Sequence, residues 1–140
     1  MKQILSNDII NQYMPTLVKC PLFNTLGEPE LRGYLNNAKV IIHSYKKNDF
    51  IALAGDPMEG IGVILEGSAL LTRENVMGQR VIMANLEQSD IFGEALLFSK
   101  QPLWPATIKA TKATKIMFIP LETFIKTLPD CHQCQTKILS

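Results

Sequence analysis

Asp90-Ile91-Phe92-Gly93-Glu94-Ala95-Leu96-Leu97-Phe98, followed by Ala106-Thr107-Ile108-Lys109-Ala110, is the most informative part of the chain. The turn cluster Gln88-Ser89-Asp90 precedes it, and its second piece has the length and composition of a short strand. The surrounding sequence has the same texture. Short apolar and β-branched runs at Val40 to Tyr45, Phe50 to Ala54, Gly62 to Thr72, Arg80 to Leu86, Ala106 to Ala110 and Lys115 to Ile119 predict six or more strands. Lys47-Asn48-Asp49, Gly55-Asp56-Pro57, Asn75 to Gly78 and Gln88-Ser89-Asp90 punctuate them as turns. No long helical crossover intervenes, so the sheet is expected to be antiparallel and to close as a jelly roll.

The flanks read differently. From Asn7 to Phe23, Ile9, Ile10, Tyr13, Met14, Leu17 and Val18 recur at three- and four-residue steps, predicting an amphipathic helix that Pro15 kinks or shortens. Glu28 to Leu35, with Pro29 near the first helical position, predicts a second short helix. Beyond Pro120, the residues Leu121, Phe124, Ile125 and Leu128 return to helical spacing, and Pro129 marks a further helix start. The expected class is mostly β with flanking α: a helical preface over 1–37, a jelly roll (double-stranded β-helix) over 38–119 and C-terminal helices over 120–140. A helix cut at Ser140 suggests a fragment of a longer protein.

The chain has 140 residues, 46% hydrophobic and 19% charged, enough apolar content for one full-sized core. Fourteen basic and thirteen acidic residues leave a net charge of +1, and no dense Lys/Arg stripe exists to meet a phosphate backbone. This domain alone is expected to bind DNA poorly. No apolar run approaches the roughly 18 to 20 residues of a membrane span, and the N-terminus has no secretory signal pattern, so a cytoplasmic location is expected. Cys20, Cys131 and Cys134 are too few and too uneven for a secreted disulfide framework.

The Phe92-Gly93-Glu94 turn and the strand after it resemble the cyclic-nucleotide-binding domain of the Crp/Fnr family of transcription regulators. Gly55, the segment Ile61 to Gly67, Gly78, and Ile116 to Phe124 extend the resemblance over nearly the whole chain. It implies that Phe92-Gly93-Glu94 opens a short helix inside the barrel, where free N–H groups and the helix dipole favour an anion. It further implies that Glu94 accepts a hydrogen bond from a ribose hydroxyl, while an arginine and a following serine or threonine grip the cyclic phosphate. Those two positions read Trp104 and Pro105 here. Tryptophan has one neutral N–H donor and proline has none, so that clamp cannot form. Losing two charge-assisted hydrogen bonds at about 1.5 to 3 kcal/mol each removes roughly two to four powers of ten in affinity.

The ligand pocket implied by the resemblance comprises Leu71, Met83, Ala84, Phe92, Gly93, Glu94, Ala95, Trp104, Pro105 and Ala106. Its effector is expected to be an unknown small molecule, less polar or more aromatic than cyclic AMP, with no cofactor firmly indicated. Two plainer readings stand beside this: Glu94 as a helix cap, and Trp104 as core packing that fills the vacant pocket. The resemblance also implies a dimerisation helix starting near the C-terminus, a homodimer in the full-length protein, and DNA contact through a C-terminal domain absent from this chain.

Three other functions are worth weighing. Cys131-His132-Gln133-Cys134 places two thiols and an imidazole at metal-binding spacing, with Cys20 as a remote fourth ligand, so a metal or redox sensor is one alternative. Inert thiols are the simpler account. A cupin-type enzyme would need a histidine cluster, and His43 and His132 lie far apart in sequence. A cyclic-nucleotide domain of a kinase or channel shares the fold but would also want the arginine. No enzyme activity is expected.

Overall fold

The computed structural model describes residues 2–4, 7–20, 23, 27–37, 39–93 and 103–120. Helix α1 (Asn7–Leu17) buries Ile10, Tyr13, Met14 and Leu17, a single face at three- and four-residue steps. Pro15 sits exposed within it, and the helix ends two residues later, after Leu17. Helix α2 (Glu28–Asn37) begins with Glu28 and Glu30 in its first turn, where carboxylates suit the positive end of the dipole, and buries Leu31, Tyr34 and Leu35.

Nine strands among the described residues form two antiparallel sheets. The first contains β1 (Lys2–Ile4), β2 (Ile41–Tyr45), β9 (Thr114–Pro120), β4 (Gly60–Glu66) and β7 (Ile91–Phe92), side by side in that order. The second contains β3 (Phe50–Ala52), β8 (Thr107–Ala110), β5 (Ala69–Glu74) and β6 (Arg80–Leu86). This is the antiparallel jelly roll with flanking helices that the sequence predicts. The predicted helices over 121–140 lie outside the described residues.

The core has two compartments, and β4 and β9 divide them. Ile61, Val63 and Leu65 on β4, with Met117 and Ile119 on β9, face the helices and pack with Ile10, Leu17, Phe23, Leu31 and Leu35. Ile64 on β4, with Ile116 and Phe118 on β9, faces the interior between the sheets and packs with Ala52, Met58, Ala69, Leu86, Phe92, Trp104 and Ile108. The alternation follows from the two-residue period of a strand covered on both sides.

All four predicted turns are present, and each contains a residue with positive φ: Asn48 (75°), Gly55 (91°), Gly78 (78°) and Ser89 (74°). Asp49 accepts from Lys46 N–H at 2.8 Å, Asp90 from Glu87 N–H at 2.7 Å, and Asn75 Oδ1 from Met77 and Gln79 N–H at 2.9 Å each, so Asx side chains build three of them.

The structure corrects the sequence reading in two respects. The run Gly62 to Thr72 is not one strand but β4 and β5, broken where Gly67 adopts φ 96°. A side chain at Gly67 would collide with Thr114, whose hydroxyl accepts from Ser68 N–H at 3.2 Å and lies 2.7 Å from the Lys112 carbonyl that it can donate to. β1 and β7 were not predicted. They have three and two residues, and exist through pairing of Lys2 with His43 and of Gly62 with Phe92.

The Phe92 ring occupies the space that a side chain at Gly62 would need. Gly62→Ala is therefore expected to force the ring aside and destabilise the fold by about 1 to 3 kcal/mol, read as a lower urea midpoint at unchanged slope.

Candidate functional site

The segment from Leu103 to Ile108 holds Trp104 and Pro105, the two positions at which the resemblance implies a phosphate clamp. It runs against 52–57: Trp104 N–H donates to the Asp56 carbonyl at 2.9 Å, and Gly55 N–H donates to the Trp104 carbonyl at 2.8 Å. Pro57 and Leu103 form an isolated antiparallel bridge, and Ala54 N–H donates to Thr107 Oγ1 at 3.2 Å. These bonds fix which way successive side chains point. Leu103 and Pro105 are exposed, whereas Trp104, Ala106 and Ile108 are buried.

The Trp104 indole is only 7% exposed and lies in the compartment between the sheets. Its ring centroid is 5.7 Å from that of Phe92, tilted by 41°. Gly93 beside it has φ 94°, and a side chain there would press on Met58 and touch the indole. The aromatic contacts continue outward: Phe92 meets Phe118 edge-on at 6.0 Å, Phe118 meets His43 edge-on at 5.6 Å, and His43 stacks on Tyr45 at 6.2 Å. Trp104, Phe118, His43 and Tyr45, together with Phe50 and Leu53, line a groove of about 300 Å³.

The charged groups at this groove are acidic. Asp56 and Glu59 line it, and no Lys or Arg does among the described residues. Burial, with the Glu59 and Asp49 carboxylates nearby, pushes the Tyr45 phenol up to about 12. Such a surface suits an apolar, aromatic or cationic molecule and repels a phosphate.

Of the residues that the resemblance assigns to the pocket, Phe92, Trp104 and Ala106 are buried, and Phe92 and Trp104 share one cluster. Leu71 packs against that cluster, and Ala84, its register partner on β6, is half-buried. Gly93 adjoins Trp104. Met83 is 52% exposed and is not brought to the others, because it alternates with Ala84 along β6. Pro105 turns outward. Glu94 and Ala95 lie outside the described residues, as do Cys131, His132 and Cys134. Cys20 is fully buried in the compartment beneath the helices, and no group of three or more His, Cys, Asp or Glu suited to a metal occurs among the described residues.

Lys109 lies 5.7 Å over the Phe50 ring, pointing outward from β8 as the alternation with Ile108 predicts. His43, Tyr45 and Phe118 are members of the groove that the sequence reading does not select. Phe118 shares the face of Ile116 by strand period, but His43 reaches the groove through the β2–β9 pairing.

The geometry is that of a two-sheet antiparallel jelly roll in which the cassette spanning positions 90–110 packs a tryptophan inward. The profile described as Cyclic nucleotide-binding domain matches residues 42–130, and the chain belongs to that family. The resemblance to Crp/Fnr effector domains holds. The chain is 31% identical over 97 residues to the cAMP-activated global transcriptional regulator CRP of Pasteurella multocida (strain Pm70), covering 69% of this chain. It spans 46% of that relative's length. The sensor domain of the transcriptional regulator DNR from Pseudomonas aeruginosa superposes with a TM-score of 0.79 at 18% identity, over 94% of this chain and 87% of the other. Thermus thermophilus Catabolite Activator Protein gives 0.75 at 21% identity, over 84% and 54%. The two structural likenesses carry the fold. Among the described residues no helix is long and apolar enough to cross a membrane.

Ionisation of Tyr45 is expected to be linked to stability. Its folded pKa near 12 exceeds the unfolded value near 10, so the neutral phenol's contribution is complete below about pH 10 and lost as pH rises towards 12. Spectrophotometric titration should show a component near 12 that Tyr45→Phe removes; its absence from the wild type would contradict the burial described.

Proposed function

We propose that this chain is the effector-sensing domain of a Crp/Fnr-type transcription regulator that does not hold cyclic AMP through the cassette. The observation that supports it best is the inward packing of Trp104 against Phe92 at the position matching the family's arginine. A neutral indole in the core cannot offer the fork of charged donors that a cyclic phosphate requires, and Pro105 beside it has no N–H.

The module is regulatory rather than enzymatic, and acts in the cytoplasm. It works by favouring one arrangement of a dimer over another, which an effector can do only by binding the two arrangements with different affinity. Dimerisation and DNA reading belong to the full-length protein. The aromatic groove beside Trp104, with Asp56 and Glu59 at its margin, suits an apolar or cationic effector. Leu71, Ala84, Gly93, Glu94, Ala95 and Ala106 would form the inner wall of the cassette pocket, and Met83 would join it only if β6 shifted.

Isothermal titration with cyclic AMP and cyclic GMP tests this reading. No saturable heat is expected at micromolar concentrations of either nucleotide, since two missing charge-assisted bonds weaken binding by roughly two to four powers of ten. Micromolar binding of either nucleotide would overturn it.

A further inference from the structure

Pro105 faces a second groove, of about 420 Å³, lined by Ala54, Thr72, Arg73, Glu74, Arg80, Pro105 and Thr107. It shares no lining residue with the aromatic groove, so it stands whether or not that groove takes a ligand. Its chemistry is the opposite. Arg73 and Arg80 come from the two arms of the β5–β6 hairpin, where Glu74 pairs in register with Arg80 and Arg73 with Val81. Neither guanidinium is in an ion pair among the described residues. Thr72 and Thr107 are register partners on β5 and β8, which brings their positions together at the groove. Thr107 Oγ1 already accepts from Ala54 N–H, and its own O–H is left to donate.

We propose that this groove is an anion site for a phosphate monoester, held by the Arg73 and Arg80 guanidiniums and the Thr72 and Thr107 hydroxyls. Arginine carries a fixed fork of donors that matches phosphate oxygens in pairs. Two such forks suit a terminal phosphate, which offers three oxygens and nearly two charges at neutral pH, better than a cyclic diester with one charge. Glu74 opposes the ligand: two guanidiniums and one carboxylate leave a local balance of one positive charge. The charge that Trp104 and Pro105 cannot supply at the cassette is thus offered on the outward side of the same segment, at Pro105. Consecutive residues, Trp104 and Pro105, line an acidic aromatic groove and a basic polar one.

Amide NMR titration of the whole chain with phenyl phosphate, at constant ionic strength, tests the site. Saturable shifts are expected at Ala54, Thr72 to Glu74, Arg80 and Thr107. Arg73→Gln and Arg80→Gln should each weaken binding roughly tenfold, and Glu74→Gln should strengthen it several-fold. All three side chains are exposed, so the variants should fold as the wild type does, which circular dichroism checks. Inorganic phosphate and a short DNA duplex are the comparison arms. Unchanged affinity in both arginine variants, shifts mapping elsewhere, or equal binding of inorganic phosphate would overturn the assignment, as would saturation by the duplex alone. None of these outcomes depends on the calorimetry with cyclic nucleotides.

Discussion

The Phe92 ring fills the space above the bare backbone of Gly62 and meets the Trp104 indole at 5.7 Å, and the interior between the sheets is organised around that contact. Gly62 belongs to β4, the strand covered by helices on one face and by the opposing sheet on the other. Its alternation of Ile61, Val63 and Leu65 with Gly62 and Ile64 assigns each compartment its side chains, and Gly62 is the gap through which an aromatic ring can enter. An indole added to that ring buries a large apolar surface in one step. With Ala106 and Ile108 buried beside it, the segment 103–108 is anchored inward at every second residue.

That anchoring has a chemical consequence. The resemblance implies a charged side chain at position 104, and a charge in this aromatic cluster would have to be solvated or paired there. Tryptophan resolves the conflict by making the position part of the core. The neighbouring groove then inherits aromatic walls and the carboxylates of Asp56 and Glu59, while basic groups occur on the other side of the segment. Two surfaces of opposite character thus flank one short segment of chain.

Much of this was legible in the residues themselves. The turns could be read because Asn48, Gly55, Gly78 and Ser89 sit in clusters whose local chemistry builds a reversal without help from distant chain. Strand β6 could be read to the residue because turn signals bound both ends, and the Crp/Fnr resemblance could be read from the Phe92-Gly93-Glu94 turn, the strand after it and the glycines upstream. The break at Gly67 was harder, since the apolar run passes through it and the reason for the turn is Thr114, far along the chain. Strands β1 and β7 are too short to show a period and depend on partners. The sequence left Trp104 open between effector contact and core packing; the hydrogen bonds to Gly55 and Asp56 settle its direction in the structure. Arg73 and Arg80 carried no signal, because only the hairpin register and the return of β8 bring them to Pro105.

Trp104 is the one tryptophan in the chain, so intrinsic fluorescence reports on it alone. Emission from the native protein, with acrylamide as quencher and with and without excess cyclic AMP, tests the central claim most directly. A buried indole packed on Phe92 predicts blue-shifted emission, weak quenching and no response to the nucleotide. Red-shifted, readily quenched emission, or a spectrum that moves when cyclic AMP is added, would contradict it.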